Sequence, residues 1–195
     1  MGLESPFKGF DQFVDNVHMG IAQPFARSNK FQFQLIGVGN LVPVIDDRMN
    51  MYCSSTELPD IAIDSNQSAS TNNRPERNYA ISANWATFSA SFYLSHDYRE
   101  RTFFERWIDS IYHRGSGTVA YFDDYIAQVK VSALASNTVM QTREGAEKTY
   151  EVTLNEVYPI SISKNEMTMD AGTNVSIMSI KFNYTDFTTE ITKET

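Results

Sequence analysis

The residues of this chain best suited to chemistry are three histidines, one cysteine and two adjacent acid pairs. A metal site on a helix needs ligands one turn apart, as in HxxxH or HExxH, so that both imidazoles share a face. His18, His96 and His113 are scattered instead, and the last two bracket a helix rather than lying along it. A general acid and base need carboxylates facing one another. Asp46-Asp47 and Asp123-Asp124 are neighbours in sequence, and neighbours on a strand point to opposite faces. Both pairs therefore read as turn chemistry. Cys53 has no histidine in local register to activate it and reads as a small apolar residue in a strand. No Walker A loop, GxGxxG or GxSxG occurs. The expectation is a protein with no catalytic residues, no cofactor and no metal.

Composition points to a structural or binding role. The chain has 195 residues, 42% hydrophobic and 21% charged, which suits one domain with a sizeable core. Thirteen Phe and ten Tyr, with abundant Val, Ile and Thr, favour strands. The net charge of −8 disfavours tight binding to nucleic-acid phosphate but is compatible with a passage through which DNA slides. A single cysteine excludes an internal disulfide. The first residues lack the basic and apolar regions of a signal peptide, and no apolar run is long enough to span a membrane, so a soluble cytoplasmic product is expected. The three Asn-x-Ser/Thr matches then have no glycosylating context.

Hydrophobic periodicity divides the chain into an arm at 1–29, a β domain at 30–187 and a tail at 188–195. The arm carries Phe7, Phe10 and Phe13. They suit either a fraying end or a segment that docks on a neighbouring subunit. Phe31, Phe33 and Leu35 alternate with Gln32 and Gln34 in a first strand. A second strand is expected over Asn50–Ser55, ending at Leu58-Pro59. A long hairpin loop follows at about 56–84. Its polar centre, 64–78, holds Ser65, Asn66, Gln67, Ser68, Ser70, Asn72, Asn73 and Arg74, candidates for contacts between subunits or rings. Phe88, Ala90, Phe92 and Leu94 mark a strand with one buried face.

The period then changes to that of a helix, with Phe104, Trp107, Ile108 and Ile111 on one stripe at about 97–113. Asp97 and Glu100 resemble a capping box there, and Gly115 a stop. Strands return at Ala127–Ala133 and Tyr150–Leu154. The second carries Glu151, Thr153 and Asn155 on its polar face. Tyr158-Pro159 should break it, Met178–Tyr184 form a last strand, and the Thr-rich end trail off. Many strands with one amphipathic helix describe an antiparallel β-sandwich or barrel.

Four ordered stretches carry a family resemblance. They are Pro24–Phe31, Thr56-Glu57-Leu58-Pro59, Ala86–Leu94 running through Ser95-His96-Asp97 into Phe103–Ile111, and Glu156-Val157-Tyr158-Pro159 through Ser161 with Asp170 and Ile177–Phe187. Together they resemble the tail tube proteins of contractile-tailed bacteriophages, distantly related to the type VI secretion tube protein. The resemblance implies a non-enzymatic virion protein, assembled in the host bacterial cytoplasm. Its hexameric rings would stack into a continuous β-barrel that conducts DNA and a tape-measure protein, with the tail sheath and a baseplate tube initiator as further partners. Glu151, Thr153 and Asn155 become candidate lumen residues, and a net acidic lumen is expected. The alternative for the acidic excess is that it solubilises the outer surface. The arm and the Ser/Asn-rich tip look longer than in compact members, so a tube-initiating baseplate protein of the same fold is an alternative. A β-sandwich binding module on a virion surface is another.

Overall fold

Alternating apolar side chains dictate most of the architecture. The computed structural model describes residues 26, 28–68, 77–85, 87–134, 148–165, 167 and 175–191. In chain order the elements are β1 (Phe31–Gly37), α1 (Asp47–Met51), β2 (Cys53–Thr56), β3 (Ile61–Ser68), β4 (Arg77–Trp85) and β5 (Phe88–Tyr93). The helix α2 (Arg99–Ile111), β6 (Tyr112–His113), β7 (Thr118–Val119) and α3 (Phe122–Tyr125) follow. The chain closes with β8 (Ala127–Leu134), β9 (Lys148–Ile162), β10 (Ile177–Asn183) and β11 (Asp186–Ile191). It is mainly β and antiparallel, as expected, and the sheets are not closed within one chain.

One strand joins two layers. The first half of β9 pairs β8 on one side and β11 on the other; its second half, from Tyr158, pairs β10. The layers are thus β1-β8-β9-β11 and β9-β10-β5-β2. Between the halves Glu156 adopts φ +55°, a left-handed conformation that bends the strand from one layer to the other. Pro159 does not end the strand, contrary to expectation. In its second half β9 has a partner on one side only, so an edge is available for a residue that cannot donate.

The layers meet in an aromatic core. Phe33 of one layer stands edge-on to Phe92 of the other, with ring centroids 5.4 Å apart. Val129, Val131, Val152 and Leu154 face Phe88, Met178, Ile180 and Phe182, all buried. Each such side chain contributes about 1.5–3 kcal/mol on leaving water. Helix α2 covers the core with Phe103, Phe104 and Trp107, while Ile108 and Ile111 are half-buried. Phe104 touches Phe92 and Phe182.

Several local expectations need correction. Asp47–Met51 is helical, not strand; the Asp46 carboxylate accepts from the Arg48 N–H at its start and Met49 is buried. That run has no period of two, so a capped turn prevails over strand propensity. Helix α2 begins at Arg99, after Tyr98 at φ +52°. Asp97 does not cap it. Glu100 reaches back instead to Ser95, accepting from its N–H at 2.9 Å and its hydroxyl at 2.8 Å. The helix stops where Tyr112 turns extended, and Gly115 lies in the β6–β7 turn beyond. Asp123-Asp124 sit in the short helix α3. The Thr-rich end does not trail off: Asp186–Ile191 is a strand, because β9 offers it a partner edge. The expected polar loop is also shorter, since Asp64–Ser68 and Arg77–Asn78 are paired strand. Most of the expected arm at 1–29, namely 1–25 and 27, lies outside the described residues, as do residues 135–147.

Candidate functional site

The layer β1-β8-β9-β11 presents one face to the core and a polar face outward. Register brings the polar residues into three rows across four strands. Gln32, Ser132, Glu151 and Glu190 form the first; Gln34, Lys130, Thr153 and Thr188 the second; Gln128, Asn155 and Asp186, with Ile36 at the β1 end, the third. The candidate lumen residues Glu151, Thr153 and Asn155 thus lie together, and on the same face as Gln128, Lys130 and Ser132 from β8.

The face is cross-linked by its own side chains. The Gln128 amide donates to Asn155 Oδ1 at 2.9 Å. Glu151 is the hub: the Ser132 hydroxyl donates at 2.9 Å, Lys148 Nζ at 2.6 Å, and Lys130 Nζ stands 3.8 Å away. The hydrogen bond from Lys148 holds the Glu151 carboxyl below its ordinary value, against the opposing effect of partial burial. Lys130 and Lys148 therefore neutralise Glu151, and the remaining acids of the face are Asp186 and Glu190. Both belong to β11, the strand that periodicity missed. Its signal was the alternation of Phe187, Thr189 and Ile191 with polar neighbours, weakened by threonine on the inner face.

Among the described residues, both lateral edges of this layer, β1 and β11, have a strand on one side only. On β1 the Leu35 N–H is satisfied from outside by Asn50 Oδ1 at 2.9 Å. An open edge is a template for another strand.

A second surface is the β3–β4 hairpin, which pairs with no other strand among the described residues. Ile61, Ile63, Tyr79 and Ile81 on it are more than half exposed. A lone two-stranded hairpin is marginal in water, and this one carries apolar side chains that no described residue covers. Ser65, Asn66, Gln67 and Ser68 are on β3. Ser70, Asn72, Asn73 and Arg74, like Phe7, Phe10 and Phe13, lie outside the described residues.

The residues considered for chemistry are not brought together. His96 is fully exposed beside Asp97, His113 is exposed on β6, and His18 lies outside the described residues. Burial pushes the Cys53 thiol up to about 12, so it stays protonated and unreactive. Among the described residues no three His, Cys, Asp or Glu could hold a metal, and no helix is long and apolar enough to cross a membrane.

No curated protein matches the chain. Three solved structures have a similar fold. The anti-feeding prophage tube-terminating cap superposes with a TM-score of 0.61 at 11% identity, covering 88% of this chain and 94% of that one. The anti-feeding prophage baseplate gives 0.60 at 14%, covering 87% and 97%. The sheath–tube complex of the extracellular contractile injection system PVC, in its extended state, gives 0.60 at 12%, covering 90% and 97%. The family model described as phage tail tube protein matches residues 17–190. This chain belongs to the phage tail tube protein family.

Proposed function

We propose that the chain is the non-enzymatic structural subunit of a contractile tail tube. Copies join side by side into hexameric rings by pairing the open β1 edge of one layer with the β11 edge of the next. The rings stack into a conduit for DNA and a tape-measure protein, within a sheath and on a baseplate initiator, as part of the virion. The observation that carries this reading is the four-stranded layer whose β1, β8 and β9 strands bury one face, whose other face is polar apart from Ile36, and which has two open edges. Repeated around a ring, such a layer closes a barrel whose lumen is lined by its polar rows and whose edges disappear.

The lumen in this reading is weakly acidic. Glu151, Asp186 and Glu190 outnumber Lys130, with Lys148 beside Glu151. Phosphates are repelled and stay hydrated, so DNA slides without a grip. The β3–β4 hairpin supplies apolar contacts to the neighbouring ring, and deleting Ser68–Asn73 weakens stacking without preventing folding.

Electron microscopy of purified protein tests the assembly: stacked rings support it, and a persistent monomer at high concentration overturns it. DNA retention against salt tests the lumen. DNA held at low salt and released at high salt would refute a non-adhesive wall while leaving the tube intact. A tube-initiating baseplate protein is the second reading, because the chain matches the baseplate structure as well as the sheath–tube one. Such a protein forms single rings that do not elongate.

A further inference from the structure

The two edges of the polar layer are not open along their whole length. Backbone groups point alternately to the two sides of a strand. The Lys30 carbonyl accepts from the Leu134 N–H and so faces β8, whereas the Leu35 N–H donates away from β8 to Asn50 Oδ1 at 2.9 Å. The outward N–H groups of β1 are therefore those of Phe31, Phe33 and Leu35. Carried through the registers of β8 and β9, the same alternation turns those of Phe187, Thr189 and Ile191 outward on β11. Of these, Phe187 donates to its neighbour Asp186 at 2.7 Å. Each edge thus has one donor occupied by a side chain. Both lie at the same end of the layer, because the row that holds Ile36 ends on Asp186. Asn50 is held in place on both sides: Met49 is buried in the core, and the Tyr52 carbonyl accepts from the Tyr93 N–H of β5.

Successive strands of the layer are antiparallel, so β11 runs opposite to β1. Copies set side by side in one sense bring the two edges together antiparallel. Side-chain pattern alone does not fix their register. Five of the six β11 residues are exposed, and a slip of two residues keeps every side chain on its own face. The donors do distinguish registers. A strand that reaches Leu35 must displace Asn50, and one acceptor then replaces another with little net gain; Phe187 and Asp186 behave alike. Uncapped positions meet uncapped ones when Phe33 stands opposite Thr189 and Phe31 opposite Ile191. A slip of two residues either way sets Phe33 against Phe187 or Thr189 against Leu35. The favoured alignment also continues the polar rows, with Gln32 beside Glu190 and Gln34 beside Thr188.

We propose that Asn50 and Asp186 set the register of the junction between copies, an inference that rests on the edge pairing proposed above. The β11 strand of a second copy pairs with β1 at Phe33–Thr189 and Phe31–Ile191. Pairing stops where Leu35 and Phe187 keep their own side-chain partners.

Cysteine pairs in the full-length chain test this. Gln32→Cys with Glu190→Cys, and Gln34→Cys with Thr188→Cys, match the proposed register. Gln34→Cys with Glu190→Cys, and Gln32→Cys with Thr188→Cys, match the two slips. Two strands separate β1 from β11 within a chain, so any such disulfide joins copies. Opposed residues of a non-hydrogen-bonded pair have Cα atoms about 4.5 Å apart, and diagonal ones about 7–8 Å. The latter is too far for a disulfide, so in-register pairs should crosslink about tenfold more than slipped ones. Assembled protein is oxidised, run on non-reducing gels and mapped by mass spectrometry, which separates any bond to Cys53. Asn50→Ala frees Leu35 and should raise the Gln34–Glu190 crosslink by about fivefold, the factor one net hydrogen bond gives, leaving Gln32–Thr188 low. Asp186→Ala should do the reverse. The four pairs in the parent background decide the register whether or not a cap variant folds. A dominant slipped pair, or cap variants that leave the pattern unchanged, would overturn the inference while leaving edge pairing intact. No crosslink at any pair, with or without tubes in the microscope, would overturn edge pairing itself.

Discussion

Replacing Trp107 by alanine should destabilise the fold by about 3–5 kcal/mol. Its side chain is fully buried and packs against Phe103, Phe104 and Phe182, with ring centroids 6.0, 6.3 and 6.4 Å away. The indole also does something an aromatic hydrocarbon cannot. Its Nε1–H donates to the Tyr125 carbonyl at 2.9 Å in a buried setting, tying helix α2 to the end of α3, just before β8. Two contributions can therefore be separated. Trp107→Phe retains much of the packing but leaves that carbonyl without its donor, at a cost of about 1–3 kcal/mol. Trp107→Ala loses both. Urea titrations followed by far-ultraviolet circular dichroism, at one protein concentration below that of assembly, give the comparison, provided the slope with denaturant is unchanged. A loss below about 1 kcal/mol for alanine would place that helix face outward and refute the packing. A Trp107→Phe variant as stable as the parent would refute the role of the hydrogen bond, and equal losses for the two variants would refute the contribution of the ring packing.

Gly39 lies against the backbone of Asp124 and Tyr125, where an added Cβ would overlap the Asp124 carbonyl. Gly39→Ala should cost about 3 kcal/mol or more in the same titration. At the bend of β9, Glu156→Gly should be neutral or stabilising by up to about 1 kcal/mol and Glu156→Val destabilising, because only the former relieves φ +55°. Acid should weaken the fold through Glu151. Its carboxyl pKa is depressed in the folded state, so its stabilisation is present above the unfolded carboxylate value of about 4.3 and disappears as pH falls through the folded one. Denaturation midpoints measured from pH 7 to 3 should show this acid limb, and Glu151→Gln should flatten it.

Much of the domain was legible in the residues themselves, wherever one layer of packing decided the pattern. Phe31–Leu35, Phe88–Leu94 and Tyr150–Leu154 alternate because one face of each meets the core, and Phe104 to Ile111 repeats at the helical period because α2 lies across that core. The polar partners of those strands, including Glu151, Thr153 and Asn155, follow automatically, since a strand that buries one face exposes the other.

Tertiary structure decided what depends on a partner. Asp186–Ile191 has only a weak apolar alternation, yet β9 offers it an edge, and with it come Asp186 and Glu190, acids that no ion pair among the described residues joins to Lys130 or Lys148. Pro159 sits in a strand because its outer side is free, and Glu156 takes a left-handed conformation because two layers must share β9. Glu100 bonds to Ser95 rather than to Asp97 because the turn at Tyr98 brings Ser95 within reach. Periodicity records which side of an element meets the core, and it carries no information about which distant segment lies along its edge.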